Sequence, residues 1–329
     1  RDIELVGFAG RHSAAPQGAY QPPINIRQLA LSGPALYEAS MRFGWPKVES
    51  ATGKVDLLHC TSIIPFGSNA KLVATIHDLA FLKYPQFFSR RGNAVFRRSL
   101  KILLKRADML LCSSQSTLED CSEFGFSRDR LSHVPLGVNA PIVMTTRDQI
   151  KTRYNLPDSF LLFVGTLEPR KNLSRLIAAL ETLGDSVPEL VVVGATGWGD
   201  VTDSAKISSQ FKSRVHFAGF VQPSDLGAMY ASAEVLCYPS LMEGFGLPIL
   251  EAMSYGTPVV TSKGSSTQEV AGNAAVLVDP LDASSIASGV LQALSHKSEL
   301  SRLGLARASE MTWQATAAKT ADVYEQVVR

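Results

Sequence analysis

Short apolar runs alternate with helical segments along almost the whole chain, and this alternation constrains the fold more than any other feature. Such runs, bounded by loops, are typical of strands that are buried on both faces of a parallel sheet. In the first half they are residues 3–8, 55–60, 71–76, 108–112 and 131–135. Strands that alternate with helices imply right-handed crossovers, so the sequence predicts an α/β fold.

The alternation restarts after residues 135–141, a segment with two prolines and a glycine. The strands predicted in this second series are 160–165, 190–194, 215–218, 235–239, 258–262 and 275–279. A chain of 329 residues also exceeds what one hydrophobic core usually organises. We therefore predict two Rossmann-like domains, residues 1–142 and 143–311, that face each other across a cleft. The final helix, 312–329, is expected to cross back to the first domain.

Composition is that of an ordinary globular protein and excludes some classes of function. The net charge of +2 gives no argument for a nucleic-acid partner. No apolar run approaches the roughly 18 residues of a transmembrane helix. The four cysteines are widely spaced, so we expect buried, reduced thiols and a cytoplasmic location.

Residues 90–107 are predicted to form a long helix with one apolar side and one strongly basic side. The cations of the basic side are Arg90, Arg91, Arg97, Arg98, Lys101, Lys105 and Arg106. A solvated helix face is one interpretation. The other is reversible, electrostatic contact of the segment 90–106 with anionic lipid at the inner face of the plasma membrane. A second, less regular helical pattern covers residues 25–42.

The first candidate site is a glycine-rich turn between a predicted strand and a predicted helix, Glu243 to Glu251, with the sequence E-G-F-G-L-P-I-L-E. This location binds anions in open α/β sheets, because helix N–H groups point at the ligand. Gly244 and Gly246 let the backbone approach a ligand. A carboxylate at Glu251 can accept two vicinal hydroxyls, which favours a phosphorylated sugar donor. A role in capping or in the helix dipole is the structural alternative, and it suits Glu243 better than Glu251.

A second loop of the same kind follows the predicted strand 160–165. It carries Arg170 and Lys171 just before a helix, for which Asn172 is the predicted N-cap. Two solvated cations are one interpretation. The other is a clamp for a diphosphate, in which arginine offers a fork and lysine a point charge.

Two further groups lie at predicted strand or helix ends. His77 and Asp78 follow a strand of the first domain on the side of the expected cleft, which makes His77 a catalytic candidate. We interpret His59 as structural. Ser266 and Glu269 have the spacing of a capping box.

Several segments together resemble the retaining glycosyltransferases of family 4, which have the GT-B fold of two Rossmann-like domains. They are T-I-H-D-L-A-F-L-K-Y-P, F-V-G-T-L-E-P-R-K-N-L, G-F-V, P-S-L-M-E-G-F-G-L-P-I-L-E-A-M-S-Y-G-T-P-V-V and E-V-A-G-N-A-A-V-L-V-D-P. The resemblance covers almost all of the chain and is strongest to bacterial mannosyltransferases of O-antigen and exopolysaccharide assembly. The family opens with a further strand and a glycine-bearing loop, so we expect an N-terminal domain that lacks its first strand and residues that the numbering omits.

The resemblance implies roles for residues on the nucleotide side of the site. Arg170 and Lys171 would neutralise the diphosphate, and Glu251 would hold the ribose hydroxyls. Val221 would contact the base through its backbone. Many family members carry arginine where this chain has Thr166, so the details of the phosphate clamp stay open.

The resemblance also implies roles on the sugar side. Glu243 and the backbone from Gly244 through Phe245 and Gly246 to Leu247 would hold the donor sugar and the diphosphate. His77 would reach the donor sugar from the opposite domain. Catalysis would need neither a metal ion nor another cofactor.

The expected activity is transfer of mannose from GDP-mannose, with retention of configuration, to a hydroxyl of a glycan or lipid-linked glycan. A transferase that uses a UDP-sugar, such as UDP-glucose or UDP-GlcNAc, is the first alternative. A nucleotide-sugar epimerase, a glycogen-type phosphorylase and a non-catalytic binding protein also remain open. A phosphorylase would need a lysine that holds pyridoxal phosphate, and no such sequence context is evident.

Overall fold

The alternating apolar runs form parallel strands in both halves of the chain. The computed structural model describes residues 3–13, 23–139, 142, 144–195, 197 and 209–329. The chain divides into two compact units, each described separately below. The first comprises Arg1–Ser113, Thr117–Val134 and Lys319–Arg329, and the second comprises Ser114–Ser116 and Pro135–Ala318. Each unit has a parallel sheet and its own core, which confirms the predicted α/β class.

The first half of the chain contains six strands and five helices in its described residues. The strands are β1 (Gly7–Ala9), β2 (Ile26–Gln28), β3 (Leu57–Cys60), β4 (Lys71–Ile76), β5 (Met109–Cys112) and β6 (Leu131–His133). The helices are α1 (Gly33–Phe43), α2 (Glu49–Thr52), α3 (Ala80–Lys83), α4 (Arg90–Arg106) and α5 (Gln115–Phe124). Strands β3, β4, β5 and β6 form a parallel sheet in that order, while β1 and β2 pair separately and also in parallel.

The prediction of one helix over residues 25–42 is wrong in its first part. This segment forms β2, and α1 begins only at Gly33, with Pro34 in its first turn. Proline lacks the N–H that a helix interior needs and restricts the residue before it, so the helix cannot extend further towards the N-terminus.

Helix α4 confirms the predicted long basic helix. It begins after Ser89, whose side chain accepts a hydrogen bond from the Gly92 N–H at 3.1 Å, a regular N-cap. Leu100 and Leu103 are fully buried against the sheet, so the opposite face of the helix is exposed.

His59, on β3, lies in a hydrogen-bond network within the first unit. Its Nε2 contacts the Thr75 hydroxyl at 2.8 Å, and its Nδ1 contacts the hydroxyl of Tyr324 in the C-terminal segment. Burial, together with the nearby His77, lowers the pKa of His59 to about 4. The imidazole is therefore neutral near pH 7, as expected of a structural histidine.

The second half of the chain contains six strands and nine helices in its described residues. The strands are β7 (Phe160–Val164), β8 (Glu189–Val193), β9 (Val215–Gly219), β10 (Val235–Tyr238), β11 (Val259–Ser262) and β12 (Val276–Val278). The helices are α6 (Arg147–Tyr154), α7 (Leu173–Leu183), α8 (Ser209–Lys212), α9 (Pro223–Ser232), α10 (Leu247–Ser254), α11 (Ser266–Ala271), α12 (Ala283–Ser295), α13 (Lys297–Glu310) and α14 (Trp313–Val328).

Both faces of the six-stranded sheet are covered. Along β7, Leu161 and Phe163 lie in one hydrophobic cluster with residues of α7 and α12, while Phe160, Leu162 and Val164 lie in a second cluster with residues of α9 and α10. This double burial explains why the strand is apolar at every position rather than at alternate ones.

The order of the strands fixes where a ligand can bind. The sheet runs β12-β11-β10-β7-β8-β9, so β7 and β10 are neighbours, with Leu161 opposite Val235. From this pair the chain winds outward in opposite directions. The loops that follow β7 and β10 therefore flank a crevice at the carboxyl edge, the usual binding position in open parallel sheets.

Among the described residues, no helix is both long enough and apolar enough to cross a membrane.

Candidate active site

The loops that follow β7 and β10 are hydrogen-bonded to each other. The Leu241 N–H donates to the Arg170 carbonyl at 2.9 Å, and the Arg170 guanidinium donates to the Met242 carbonyl at 2.7 Å. The structure thus brings together two loops that the sequence analysis singled out independently. Both lie at the crossover point of the sheet.

Four charged side chains form one cluster between these loops. Glu243 bridges the two cations, with Oε2 at 2.7 Å from Nη1 of Arg170 and Oε1 at 2.8 Å from Nζ of Lys171. Glu168 forms a second ion pair with Arg170. All four side chains are largely buried, so the interpretation of Arg170 and Lys171 as solvated loop cations is wrong.

The charges in the cluster hold one another ionised. Burial by itself raises the pKa of Glu243, but the charges of Lys171 and Arg170 outweigh it and keep that pKa below its ordinary value. Burial likewise disfavours the charged form of Arg170, yet Glu243 and Glu168 raise the pKa of its guanidinium. The cluster is therefore made of two cations and two carboxylates.

Tyr238, the last residue of β10, holds Lys171 in place. The Lys171 ammonium donates to the Tyr238 hydroxyl at 2.6 Å and lies 4.8 Å from the centre of the ring. Gly165 leaves room for the lysine, because a Cβ there would lie 3.3 Å from Lys171 Cε. The sequence analysis missed both Tyr238 and Glu168, although each is next to or within a segment that it quoted.

Asn172 does not cap α7 with its side chain, so that prediction is wrong. Its backbone is left-handed (φ 63°), a conformation that asparagine tolerates better than most residues. The side-chain amide instead donates to the carbonyls of Pro239, at 2.9 Å, and Pro280, at 2.7 Å. Asn172 thereby joins the loop after β7 to the loops after β10 and β12.

Gly246 allows the tight turn into α10. Its φ of 111° is strained for any residue with a side chain, and Pro248 lies in the first turn of the helix that follows. Gly244, Phe245 and Gly246 are buried, whereas Leu247 is partly exposed.

The predicted capping box of Ser266 and Glu269 is wrong, because α11 begins at Ser266 itself and Ser265 occupies the N-cap position. The Ser266 hydroxyl donates to the Glu243 carbonyl at 2.6 Å. A residue that was interpreted as a helix cap thus supports the backbone of the candidate site.

Glu251 lies in the middle of α10, apart from the charged cluster. The Tyr230 hydroxyl, on α9, donates to its Oε2 at 2.6 Å. Burial raises the pKa of Glu251, and the Tyr230 hydrogen bond opposes that rise without cancelling it. Tyr230 was not identified from the sequence.

The remaining predicted residues lie at the expected chain positions, and their roles stay predictions. Thr166 is exposed just after β7, and Val221 is buried just after β9. In the first unit, His77 follows β4 with an exposed side chain, and its carbonyl accepts hydrogen bonds from Ser113 and Thr117. No group of three or more acidic, histidine or cysteine side chains among the described residues could hold a metal ion.

Comparison with known proteins identifies the family. Residues 145–308 match the family described as "Glycosyl transferases group 1", and residues 2–140 match "Glycosyltransferase Family 4". O-antigen chain mannosyltransferase B of Escherichia coli is 31% identical over 267 residues, which cover 78% of this chain and 70% of that protein. The MMP alpha-(1->4)-mannosyltransferase of Mycolicibacterium hassiacum is 32% identical over 247 residues, which cover 73% of this chain and 59% of that protein.

Solved structures show the same fold. Sucrose-phosphate synthase from Thermosynechococcus elongatus matches 98% of this chain, and 88% of its own, with a TM-score of 0.76 at 22% sequence identity. This likeness confirms the predicted GT-B fold. The chain belongs to glycosyltransferase family 4, as its sequence motifs predicted.

Proposed function

We propose that the chain transfers mannose from GDP-mannose, with retention of configuration, to a hydroxyl of a glycan or lipid-linked glycan. The observation that carries the proposal is the cluster of Arg170, Lys171 and Glu243 at the crossover point of the sheet, beside the N-terminus of α10. Mannose as the donor sugar is supported by the names of the two relatives, both of which are mannosyltransferases.

The cluster suits a reaction in which a diphosphate leaves. Negative charge grows on the phosphate oxygens as the bond to the sugar breaks, and preorganised cations stabilise it. Arg170 offers a planar fork and Lys171 a point charge. These two side chains, with the N–H groups at the start of α10, would do the work that a metal ion does elsewhere, so no metal ion or cofactor is assigned.

Retention without a covalent intermediate is supported by the state of Glu243. Its carboxylate already bridges Arg170 and Lys171, and both cations lower its pKa. An oxygen that is shared with two cations is a weak nucleophile. We therefore assign front-side attack by the acceptor hydroxyl, assisted by the leaving phosphate, with Glu243 positioned at the donor sugar and His77 as the second catalytic residue.

The test combines a panel of donors with one variant. The purified chain is incubated with GDP-mannose, UDP-glucose or UDP-GlcNAc and a lipid-linked acceptor, and release of GDP or UDP is measured. Release of GDP from GDP-mannose alone supports the proposal, and release of UDP alone replaces mannose with another sugar. Absence of release with every donor would favour a non-catalytic binding protein.

The variant Lys171→Ala should slow transfer by roughly 10²–10³-fold, by analogy with removal of one oxyanion donor. Lys212→Ala is the matched control, because Lys212 is an exposed lysine on α8 in the same unit. Full activity of the Lys171→Ala variant would rule out the clamp.

We also propose reversible contact of the first unit with anionic lipid at the inner face of the plasma membrane. On α4, Arg90, Lys101 and Lys105 are exposed and have no acidic partner within ion-pairing distance among the described residues. Helix α1 packs beside them through an ion pair of 2.8 Å between Glu38 and Arg98. Aromatic residues of this kind anchor proteins in the lipid headgroup region, and Phe43, which ends α1, is 78% exposed.

Sedimentation with vesicles tests this contact. Vesicles that contain phosphatidylglycerol should retain the protein, and vesicles of phosphatidylcholine alone should not. The double variant Lys101→Glu, Lys105→Glu should lose binding, whereas Lys212→Glu should keep it. Equal binding of the double variant and the unmodified chain would refute the contact.

A further inference from the structure

The carboxylate of Glu251 has one hydrogen-bond partner among the described residues. That partner is the Tyr230 hydroxyl, which donates to Oε2 at 2.6 Å. Oε1 has no partner there, and the side chain is only partly buried. One carboxylate oxygen is thus held by the protein, while the other can accept hydrogen bonds from a ligand.

Tyr230 is itself firmly held. It is fully buried near the end of α9, and its backbone carbonyl accepts a hydrogen bond from the Thr257 hydroxyl at 2.6 Å. Its ring stacks on Tyr255, with the ring centres 6.0 Å apart and the planes 17° from parallel. These contacts fix the hydroxyl, and through it they fix the direction of the Glu251 carboxylate.

We propose that Tyr230 is a positioning residue for nucleotide recognition, which aims the free oxygen of Glu251 at the ribose hydroxyls of the donor. The inference rests on the proposed function, because that function assigns the ribose to Glu251. Tyr230 touches only Glu251 in this scheme, so its effect on the ligand is indirect.

Two physical effects make the tyrosine hydroxyl necessary. Without it, the carboxylate can rotate about its side-chain bonds, and ordering it again on binding costs affinity. Burial also favours the protonated form of Glu251, and the tyrosine is the group that opposes this tendency. Either change weakens acceptance of a hydrogen bond from ribose.

The experiment measures how well the protein distinguishes ribose from deoxyribose. GDP, UDP and their 2′-deoxy and 3′-deoxy analogues are titrated into the unmodified chain, Tyr230→Phe and Tyr255→Phe, with calorimetry as the readout. The unmodified chain should bind its preferred nucleotide about tenfold more tightly than at least one deoxy analogue, the effect of one hydrogen bond to a charged group.

Tyr230→Phe should lose about tenfold in affinity for the ribonucleotide and bind the deoxy analogues as the unmodified chain does. In transfer assays, its KM for the donor should rise while kcat changes little, because the reacting bond lies elsewhere. Tyr255→Phe should keep the discrimination, because its hydroxyl donates to the Ile142 carbonyl and not to Glu251.

A second variant separates positioning from general damage to the fold. In a Glu251→Ala background, the further change Tyr230→Phe should have no additional effect on discrimination. Loss of discrimination by Tyr230→Phe in that background, or full discrimination by Tyr230→Phe alone, would overturn the positioning role. Failure of the unmodified chain to bind either nucleotide would instead overturn the proposed function, and the inference with it.

Discussion

Glu243→Gln should bind GDP more tightly than the unmodified chain, although it transfers sugar more slowly. The Glu243 carboxylate bridges Arg170 at 2.7 Å and Lys171 at 2.8 Å, so it occupies the cations that the proposed diphosphate would use. A glutamine has nearly the same shape and one hydrogen-bond acceptor, but no charge. The substitution therefore removes an internal competitor of the phosphate.

The magnitude follows from the charges in the cluster. Arg170 and Lys171 are balanced by Glu168 and Glu243, so the cluster is neutral, and glutamine leaves it with one positive charge. One unit charge about 5 Å from a phosphate charge contributes about 3 kcal/mol at an effective dielectric constant of about 20. Because Arg170 is 18% exposed and Lys171 11% exposed, solvent reduces this to about 1–2 kcal/mol. The expected gain in affinity is about 5–30-fold.

The same substitution should destabilise the chain in the absence of nucleotide. Removing one partner of a buried ion pair typically costs about 3–5 kcal/mol. We expect the lower end, because glutamine retains an acceptor oxygen and Glu168 still neutralises Arg170. Binding of GDP should then raise the melting temperature of Glu243→Gln by more than it raises that of the unmodified chain.

Calorimetric titration with GDP, and thermal melting with and without GDP, provide the assay. Glu299→Gln is the matched control, since Glu299 is exposed on α13 and the net charge changes equally. Weaker binding of GDP by Glu243→Gln, with unchanged secondary structure, would show that Glu243 helps to bind the diphosphate rather than competing with it. Equal binding would show that the phosphate does not reach these cations.

Three further predictions concern neighbouring residues. Because the pKa of Glu243 lies below 4.5, its contribution to stability is present above that pH and is lost as the pH falls. Melting curves of Glu243→Gln and the unmodified chain should therefore converge in acid. Tyr238→Phe removes an acceptor of Lys171 and should reduce kcat about tenfold, measured by GDP release, while Tyr255→Phe should not. Gly246→Ala forces a φ of 111° on alanine and should lower the free energy of unfolding by about 1–3 kcal/mol in thermal denaturation.

The sequence predicted the elements and the edge of the sheet at which the site lies. Apolar runs mark parallel strands, and polar or glycine-rich segments after them must lie at one edge, because parallel strands all end there. This reasoning placed Arg170, Lys171 and Glu243 correctly before any pairing of strands was known. It could not show that Arg170 and Glu243, 73 residues apart, touch each other, because that depends on the pairing of β7 with β10.

The errors share one physical cause. Asn172 and Ser266 both have the residue type and spacing of local helix caps, yet both side chains bond backbone groups that are distant in sequence. Local spacing measures only the hydrogen bond that a side chain could make to its own helix. Where three loops meet at one sheet edge, buried backbone carbonyls of neighbouring loops also need donors, and these took both side chains.

The tyrosines illustrate a limit of a different kind. Tyr230 and Tyr238 belong to apolar segments, and nothing in their spacing distinguishes them from core residues. Each is indeed buried, but its single hydroxyl must find a partner inside the protein. At this site the available partners are Glu251 and Lys171, the residues with proposed roles in binding. A buried tyrosine beside a candidate binding residue is therefore a reason to look for a positioning role, and the deoxynucleotide titration tests it directly.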